Sequence, residues 1–231
     1  MVSIVIPAFN EAATVGSCVN ASLHHPSVVE VIVVDDGSSD GTGEAAMAAG
    51  AKVIRLDKNG GKAAAMDAGV RAAKHNIILF LDADVTGHTE QMLTRVVKPV
   101  IDGQFEMYVG VRARKTIWLN RLLRFFPIIS GERAVTRRLW DAIPIQNREG
   151  FKIEIALNHA SKQFKRGMGF ELIAGTRHHI KERKYGLLMG FWMRIKMTAE
   201  LVIISFRLYL LEPCLSSLRR ACLKIVSLGR S

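Results

Sequence analysis

Ile77-Ile78-Leu79-Phe80-Leu81-Asp82-Ala83-Asp84 is the stretch on which the reading of this chain turns. Five consecutive apolar residues, too few for an ordinary helix and apolar at odd and even positions alike, are the pattern of a strand buried on both faces. Two carboxylates stand where that strand leaves the core. The arrangement recurs upstream. The apolar run 2–6 leads into Pro7-Ala8-Phe9-Asn10-Glu11, and the run 28–34 into Asp35-Asp36-Gly37-Ser38-Ser39-Asp40-Gly41. A third short strand is predicted over 53–56. Helical spacing follows the strands over 12–23, 42–49, 62–74 and 90–101, with Asn10 expected to cap the first helix and Ser39 or Asp40 the second. Such alternation predicts an α/β fold with a mostly parallel central sheet flanked by helices.

Beyond residue 105 the pattern is less regular. Strands are expected over 106–111 and 167–174, and helices over 117–126 and 151–161. Residues 187–211 read as one long apolar helix ended by Pro213, and 215–228 as a second carrying Arg219, Arg220 and Lys224. Arg194, Lys196, Glu200 and Arg207 make the long helix a poor bilayer span. Lys196, Glu200 and Arg207 share one face, so an amphipathic helix lying in a membrane surface is predicted, with a core-covering helix as the plainer alternative. The chain is thus divided into a catalytic-type domain over 1–186 and a C-terminal amphipathic tail over 187–231.

Charge divides the chain earlier, near residue 111. Of 231 residues, 1–111 hold 8 Lys/Arg against 13 Asp/Glu, a net of −5, while 112–231 hold 24 against 8, a net of +16. A basic rear half calls for an anionic partner, either a phosphorylated substrate or an anionic membrane surface. Nucleic acid fits poorly, because the acidic front half would repel it. The 3 cysteines, Cys18, Cys214 and Cys222, have no metal-ligand spacing and point to a reducing compartment. With no basic, apolar leader pattern at Met1–Pro7, the expected location is cytoplasmic, peripheral on the inner face of a membrane.

In open α/β sheets ligands bind beyond the carboxyl ends of the strands, where the acids lie. A P-loop would need a Ser/Thr after Lys62, where Ala63 stands, and a dinucleotide fingerprint would need glycines where residues 7–11 stand. With no glycine-rich phosphate loop, a bound diphosphate requires a neutralising cation. Asp82 and Asp84, hard oxygen donors two residues apart, suit Mg²⁺ or Mn²⁺.

Four segments then carry a family resemblance: Pro7-Ala8-Phe9-Asn10-Glu11, Val34-Asp35-Asp36-Gly37-Ser38-Ser39-Asp40-Gly41-Thr42, Asn59-Gly60-Gly61-Lys62 and Asp82-Ala83-Asp84. In order and spacing they resemble family 2 glycosyltransferases, and most of all the dolichyl- or polyprenyl-phosphate sugar synthases. Ser130-Gly131-Glu132-Arg133-Ala134, Gly150-Phe151-Lys152-Ile153-Glu154-Ile155 and the span Arg177 to Lys184 are similar to later segments of that family. The resemblance implies a GT-A fold. It implies that Pro7, Phe9, Glu11 and Asp36 hold the base and ribose of a nucleoside diphosphate sugar, with Asp35, Lys62 and Ala83 nearby, and that Asp82 and Asp84 hold the metal. Thr86 stands where the family often has Gln; Thr86 and His88 are the candidates for a third contact. His178-His179 is not expected to bind a metal.

The implied reaction is a single inverting displacement at the anomeric carbon, with a UDP-sugar favoured as donor and GDP-mannose next. The favoured acceptor is a polyprenyl phosphate or another lipid. A soluble enzyme acting on a glycan or small-molecule hydroxyl is the alternative, with Glu154 as base; a nucleotidyltransferase is the third reading. Arg133 is expected to act in catalysis beside Asp84 and Glu154, and Arg133, Arg177 and Lys184 to bind the acceptor phosphate.

Overall fold

In a computed structural model, residues 1–112, 130–148, 150, 152–173, 175, 177–178 and 203 are described. Strands β1 (Val2–Ala8), β2 (Val28–Asp35), β3 (Lys52–Arg55), β4 (Ile77–Phe80), β6 (Met107–Arg112), β7 (Arg133–Thr136) and β8 (Met168–Ile173) form one sheet in the order β3-β2-β1-β4-β7-β6-β8. The first four run parallel; β7 enters antiparallel between β4 and β6, and β6 and β8 are parallel. The mostly parallel sheet is therefore as expected. Two short strands, β5 (Val85–Thr86) and β9 (Arg177–His178), pair antiparallel apart from it.

Period-2 alternation sorts the strand side chains into two cores. Val5, Ile32, Val34, Ile78 and Phe80 face α3 (Lys62–Ala72), α5 (Arg137–Asp141) and α6 (Lys152–Ser161). Ile4, Ile6, Val33, Leu79 and Leu81 face α1 (Val15–Leu23), α2 (Thr42–Ala48) and α4 (Glu90–Ile101). Each of these fully buried side chains contributes about 1.5–3 kcal/mol of apolar burial, which is why the strands are apolar at both parities.

Helix starts differ from expectation. Thr14, not Asn10, stands at the N-cap of α1, and its side chain makes no capping bond. Asn10 instead takes φ 54°, and its side-chain oxygen accepts from the Ser39 amide at 2.9 Å. Gly41 is the N-cap of α2 in the left-handed region, while Asp40 accepts from the Thr42 amide at 3.1 Å. Strand β7 begins inside the segment read only as a motif, and helix α5 follows where no element was expected; Thr136 caps α5 by accepting from the Leu139 amide. The helix expected over 117–126 and the two tail helices lie outside the described residues. Among the described residues, no helix is long and apolar enough to cross a membrane.

Candidate functional site

Register brings the acids to one edge. Ala8 is opposite Asp35, Asp35 opposite Arg55, and Val5 opposite Phe80, so β1, β2, β3 and β4 all exit on the same side. The loops there are tied to one another. The Asn10 amide donates to Ser38 Oγ at 2.9 Å, the Glu11 amide to Thr42 Oγ1 at 2.8 Å and the Ala12 amide to Asp40 at 3.2 Å. Residues 9–12 and 38–42 thus form one braced floor. Phe9 lies exposed at its rim, with Pro7 half-buried behind it.

The paired acids Asp35 and Asp36 are held in different ways. Asp35 is fully buried; it accepts from the Ser38 amide at 2.8 Å and from Arg55 Nε at 3.0 Å. It holds the turn. Asp36 accepts from the Gly60 amide at 2.7 Å and the Gly61 amide at 2.9 Å. These bonds set the turn that starts α3, where Gly61 takes φ 84°, a region L side chains avoid. Asp36 therefore positions Lys62, the first residue of α3. Ala83 is buried in the apolar core, so its side chain cannot touch a donor.

Lys62 links the two halves of the site. Its ammonium lies 2.9 Å from Asp82 Oδ1 and 2.7 Å from Glu154 Oε1. Burial disfavours the charge, but the carboxylates of Asp82 and Glu154 outweigh it and raise the pKa above the ordinary lysine value. Glu154 sits in the first turn of α6, where an acid suits the helix dipole, and its side chain is only 3% exposed. Its Oε2 is 3.6 Å from Arg133 Nη2 and accepts no hydrogen bond among the described residues.

Arg133 is expected at the acceptor site. Its side chain is wholly buried, and it donates from Nε at 2.9 Å and Nη2 at 2.6 Å to the Ser130 carbonyl, and from Nη1 at 3.3 Å to the Glu154 carbonyl. Burial lowers its pKa, with Glu154, Asp82 and Glu132 opposing. Arg133 thus joins the 130–133 turn to α6, its guanidinium turned inward in this structure. The neighbouring Gly131 explains that turn's residue pattern. A Cβ there would lie 1.9 Å from Asp82 Oδ2, so only glycine leaves the carboxylate its place.

Glu132 and Cys18, not singled out as site residues by the sequence, complete the surround with His88 and Asp84. Glu132 is fully buried and accepts from Ser130 Oγ at 2.9 Å. His88 Nε2 lies 3.9 Å from Glu132 Oε1, and neither ring nitrogen makes a hydrogen bond among the described residues. Burial, followed by the charges of Asp82, Glu132 and Asp84, pushes the Cys18 thiol far above its ordinary value, so it is inert. Cys18 was legible only as a free thiol, and Glu132 only as a variable position inside a motif. Asp84 is buried beside them. Pairing of β5 with β9 sets Val85 opposite His178 and Thr86 opposite Arg177, which brings the late basic segment to the residues following Asp84. Lys184 lies outside the described residues. Asp82 and Asp84 supply the hard oxygen donors that suit a divalent cation; among the described residues no three His, Cys, Asp or Glu side chains are grouped to hold one by themselves.

A mostly parallel sheet with acids gathered beyond the carboxyl ends of its strands defines an open α/β protein with its candidate ligand site at that edge. Residues 3–124 match the family described as Glycosyl transferase family 2, and the chain belongs to that family. Among relatives, it is 35% identical over 131 residues to undecaprenyl-phosphate 4-deoxy-4-formamido-L-arabinose transferase of Aeromonas hydrophila, covering 52% of this chain and 40% of that one. It is 30% identical over 125 residues to dodecaprenyl-phosphate galacturonate synthase of Rhizobium johnstonii, covering 49% and 36%. The chain thus spans less than half the length of these relatives. In fold it is similar to Mycobacterium tuberculosis glucosyl-3-phosphoglycerate synthase crystallised with Mn²⁺, UDP-glucose and phosphoglyceric acid, with a TM-score of 0.73, 22% identity, and 89% and 78% of the two chains covered. That likeness establishes the GT-A-type fold expected from the motifs.

Proposed function

We propose that this chain is a metal-dependent inverting glycosyltransferase that moves a sugar from a nucleoside diphosphate sugar, UDP-linked by preference, to a polyprenyl phosphate. The observation that carries this reading is the state of Glu154. A hydroxyl acceptor needs a base to take its proton, whereas a lipid phosphate is already ionised. Glu154 is the best base candidate in the second half of the chain, and it is buried between Lys62 and Arg133. A carboxylate so placed is poorly sited to reach a hydroxyl, which favours the phosphate acceptor over the alternative. The names of the Aeromonas and Rhizobium relatives support a polyprenyl-phosphate acceptor, and the Mn²⁺ and UDP-glucose named with the mycobacterial structure support the donor and metal.

In this reading Asp82 and Asp84 hold Mg²⁺ or Mn²⁺, with Thr86 or His88 as the third protein donor. The bound cation neutralises the leaving nucleoside diphosphate, where charge develops in the transition state. The braced floor at residues 9–12 and 38–42 receives the nucleoside, with Pro7, Phe9 and Glu11 at its rim. Lys62 contributes a fixed positive charge beside the diphosphate. The basic segment at Arg177 stands next to the metal loop, where an acceptor phosphate must approach. A peripheral position on the inner face of a membrane accords with such a lipid substrate and with the basic rear half.

The test is a panel of UDP- and GDP-sugars with Mn²⁺, with and without polyprenyl phosphate, run on the intact chain and on Asp82→Ala and Asp84→Ala. Transfer to lipid that both substitutions abolish is expected. Transfer to a glycan hydroxyl that depends on Glu154 would favour the alternative, and no turnover of any donor would refute the enzyme.

A further inference from the structure

We propose that the Lys62 ammonium is the counter-cation of Asp82, which a divalent metal must displace and which Glu154 retains once displaced. This rests on the metal-dependent reading above. Lys62 Nζ holds Asp82 Oδ1 at 2.9 Å and Glu154 Oε1 at 2.7 Å, within side chains that are 19%, 19% and 3% exposed. The cation is not there by chance of a floppy stem. Its backbone opens α3 directly after the Gly60-Gly61 turn, and that turn is clamped by both oxygens of Asp36. Asp82 is equally fixed, because its carboxylate packs against the Cα of Gly131.

A metal at Asp82 would bind its oxygen at about 2.1 Å, well inside the present lysine contact. Ammonium and dication on one small carboxylate would then be crowded together in a partly buried place, where like-charge repulsion is strong. The two are therefore competitors for Asp82. Glu154 decides where the lysine goes. It already shares the ammonium, its Oε2 accepts no hydrogen bond among the described residues, and the nearby guanidinium of Arg133 at 3.6 Å is committed to the carbonyls of Ser130 and Glu154. Glu154 thus keeps the ammonium beside the metal, available to the incoming diphosphate. The acid serves as the anchor of a cation exchange at Asp82, a task that needs no proton transfer.

The experiment measures Mn²⁺ binding to the full chain from the electron paramagnetic resonance signal of free Mn²⁺, without nucleotide and with UDP. Without nucleotide, Lys62→Met should bind Mn²⁺ about tenfold more tightly than the unaltered chain, because the competing charge is gone. Lys62→Met/Glu154→Gln removes both members of the buried pair and should show the same tightening, which covers the case in which the single substitution does not fold. If the folded variants bind Mn²⁺ no more tightly than the unaltered chain, the exchange is refuted while the metal reading stands. If the unaltered chain binds no Mn²⁺ even with UDP, both fall together.

Discussion

Replacing Gly131 by alanine tests the site at the point where its geometry is tightest. The added Cβ would lie 1.9 Å from Asp82 Oδ2 and 2.1 Å from its Cγ, where real contacts do not fall below 3.0 Å. Something must move by about 1 Å or more, and the backbone is the stiffer partner. The Ser130 carbonyl accepts two bonds from Arg133, and Ser130 Oγ donates to the Gly110 carbonyl at 2.6 Å. Gly131 is not among the residues with positive φ, so alanine brings no conformational strain of its own. The carboxylate of Asp82 therefore yields, losing Lys62 and the metal position. A displacement of this size at a reacting centre costs about 10²-fold in turnover. Disturbing a mostly buried ion pair costs about 1–3 kcal/mol of stability, roughly 2–4 °C of Tm per kcal/mol for a chain this long. The assay is donor turnover with saturating Mn²⁺ alongside a melting curve. A folded Gly131→Ala chain with unaltered turnover and Mn²⁺ affinity would show that Asp82 does not need its present place.

Other substitutions separate support from contact. Asp36→Ala should free the Gly60 and Gly61 amides, lower stability by about 1–3 kcal/mol in urea unfolding, and raise the KM for donor by misplacing Lys62. Arg133→Met should destabilise the chain by about 3–5 kcal/mol, since it leaves Glu154 with one cation fewer in a buried place; a stable variant with only a raised acceptor KM would return Arg133 to the acceptor site. Away from the site, Glu30 accepts from Ser3 Oγ and the Lys74 amide, both at 2.6 Å. Burial pushes its pKa up, but these bonds and His75 prevail and hold it below the ordinary 4.5. Its contribution is therefore complete above the unfolded value and disappears as pH falls through the lower folded value. Glu30→Gln should flatten that part of the acid unfolding curve; an unchanged slope would assign the loss to other carboxylates.

The strands were legible because burial on both faces demands apolar residues at both parities, and α4 was read to the residue because Thr89 caps a strongly two-faced helix. Strand β7 was not, because Arg133-Ala134-Val135-Thr136 opens with a charge that only its partners make tolerable. The same limit applied to the site. Asp82 and Asp84 stand out in one dimension only through their place at a strand end beside two other acid-bearing strand ends, since an Asp-x-Asp alone is most often a pair of ordinary surface acids. Asp35 and Asp36 look equivalent in sequence, yet one is sealed against Arg55 and the other clamps a turn, a difference made by where β3 and α3 lie. Family membership, the parallel sheet and the acidic edge were determined by local pattern, because strand burial and turn chemistry act over a few residues. The roles of Lys62, Gly131, Glu132, Arg133 and Glu154 were decided only in three dimensions. A buried charge is defined by its counter-charge, and these partners are brought together from segments far apart in the chain by the order in which the strands are laid down.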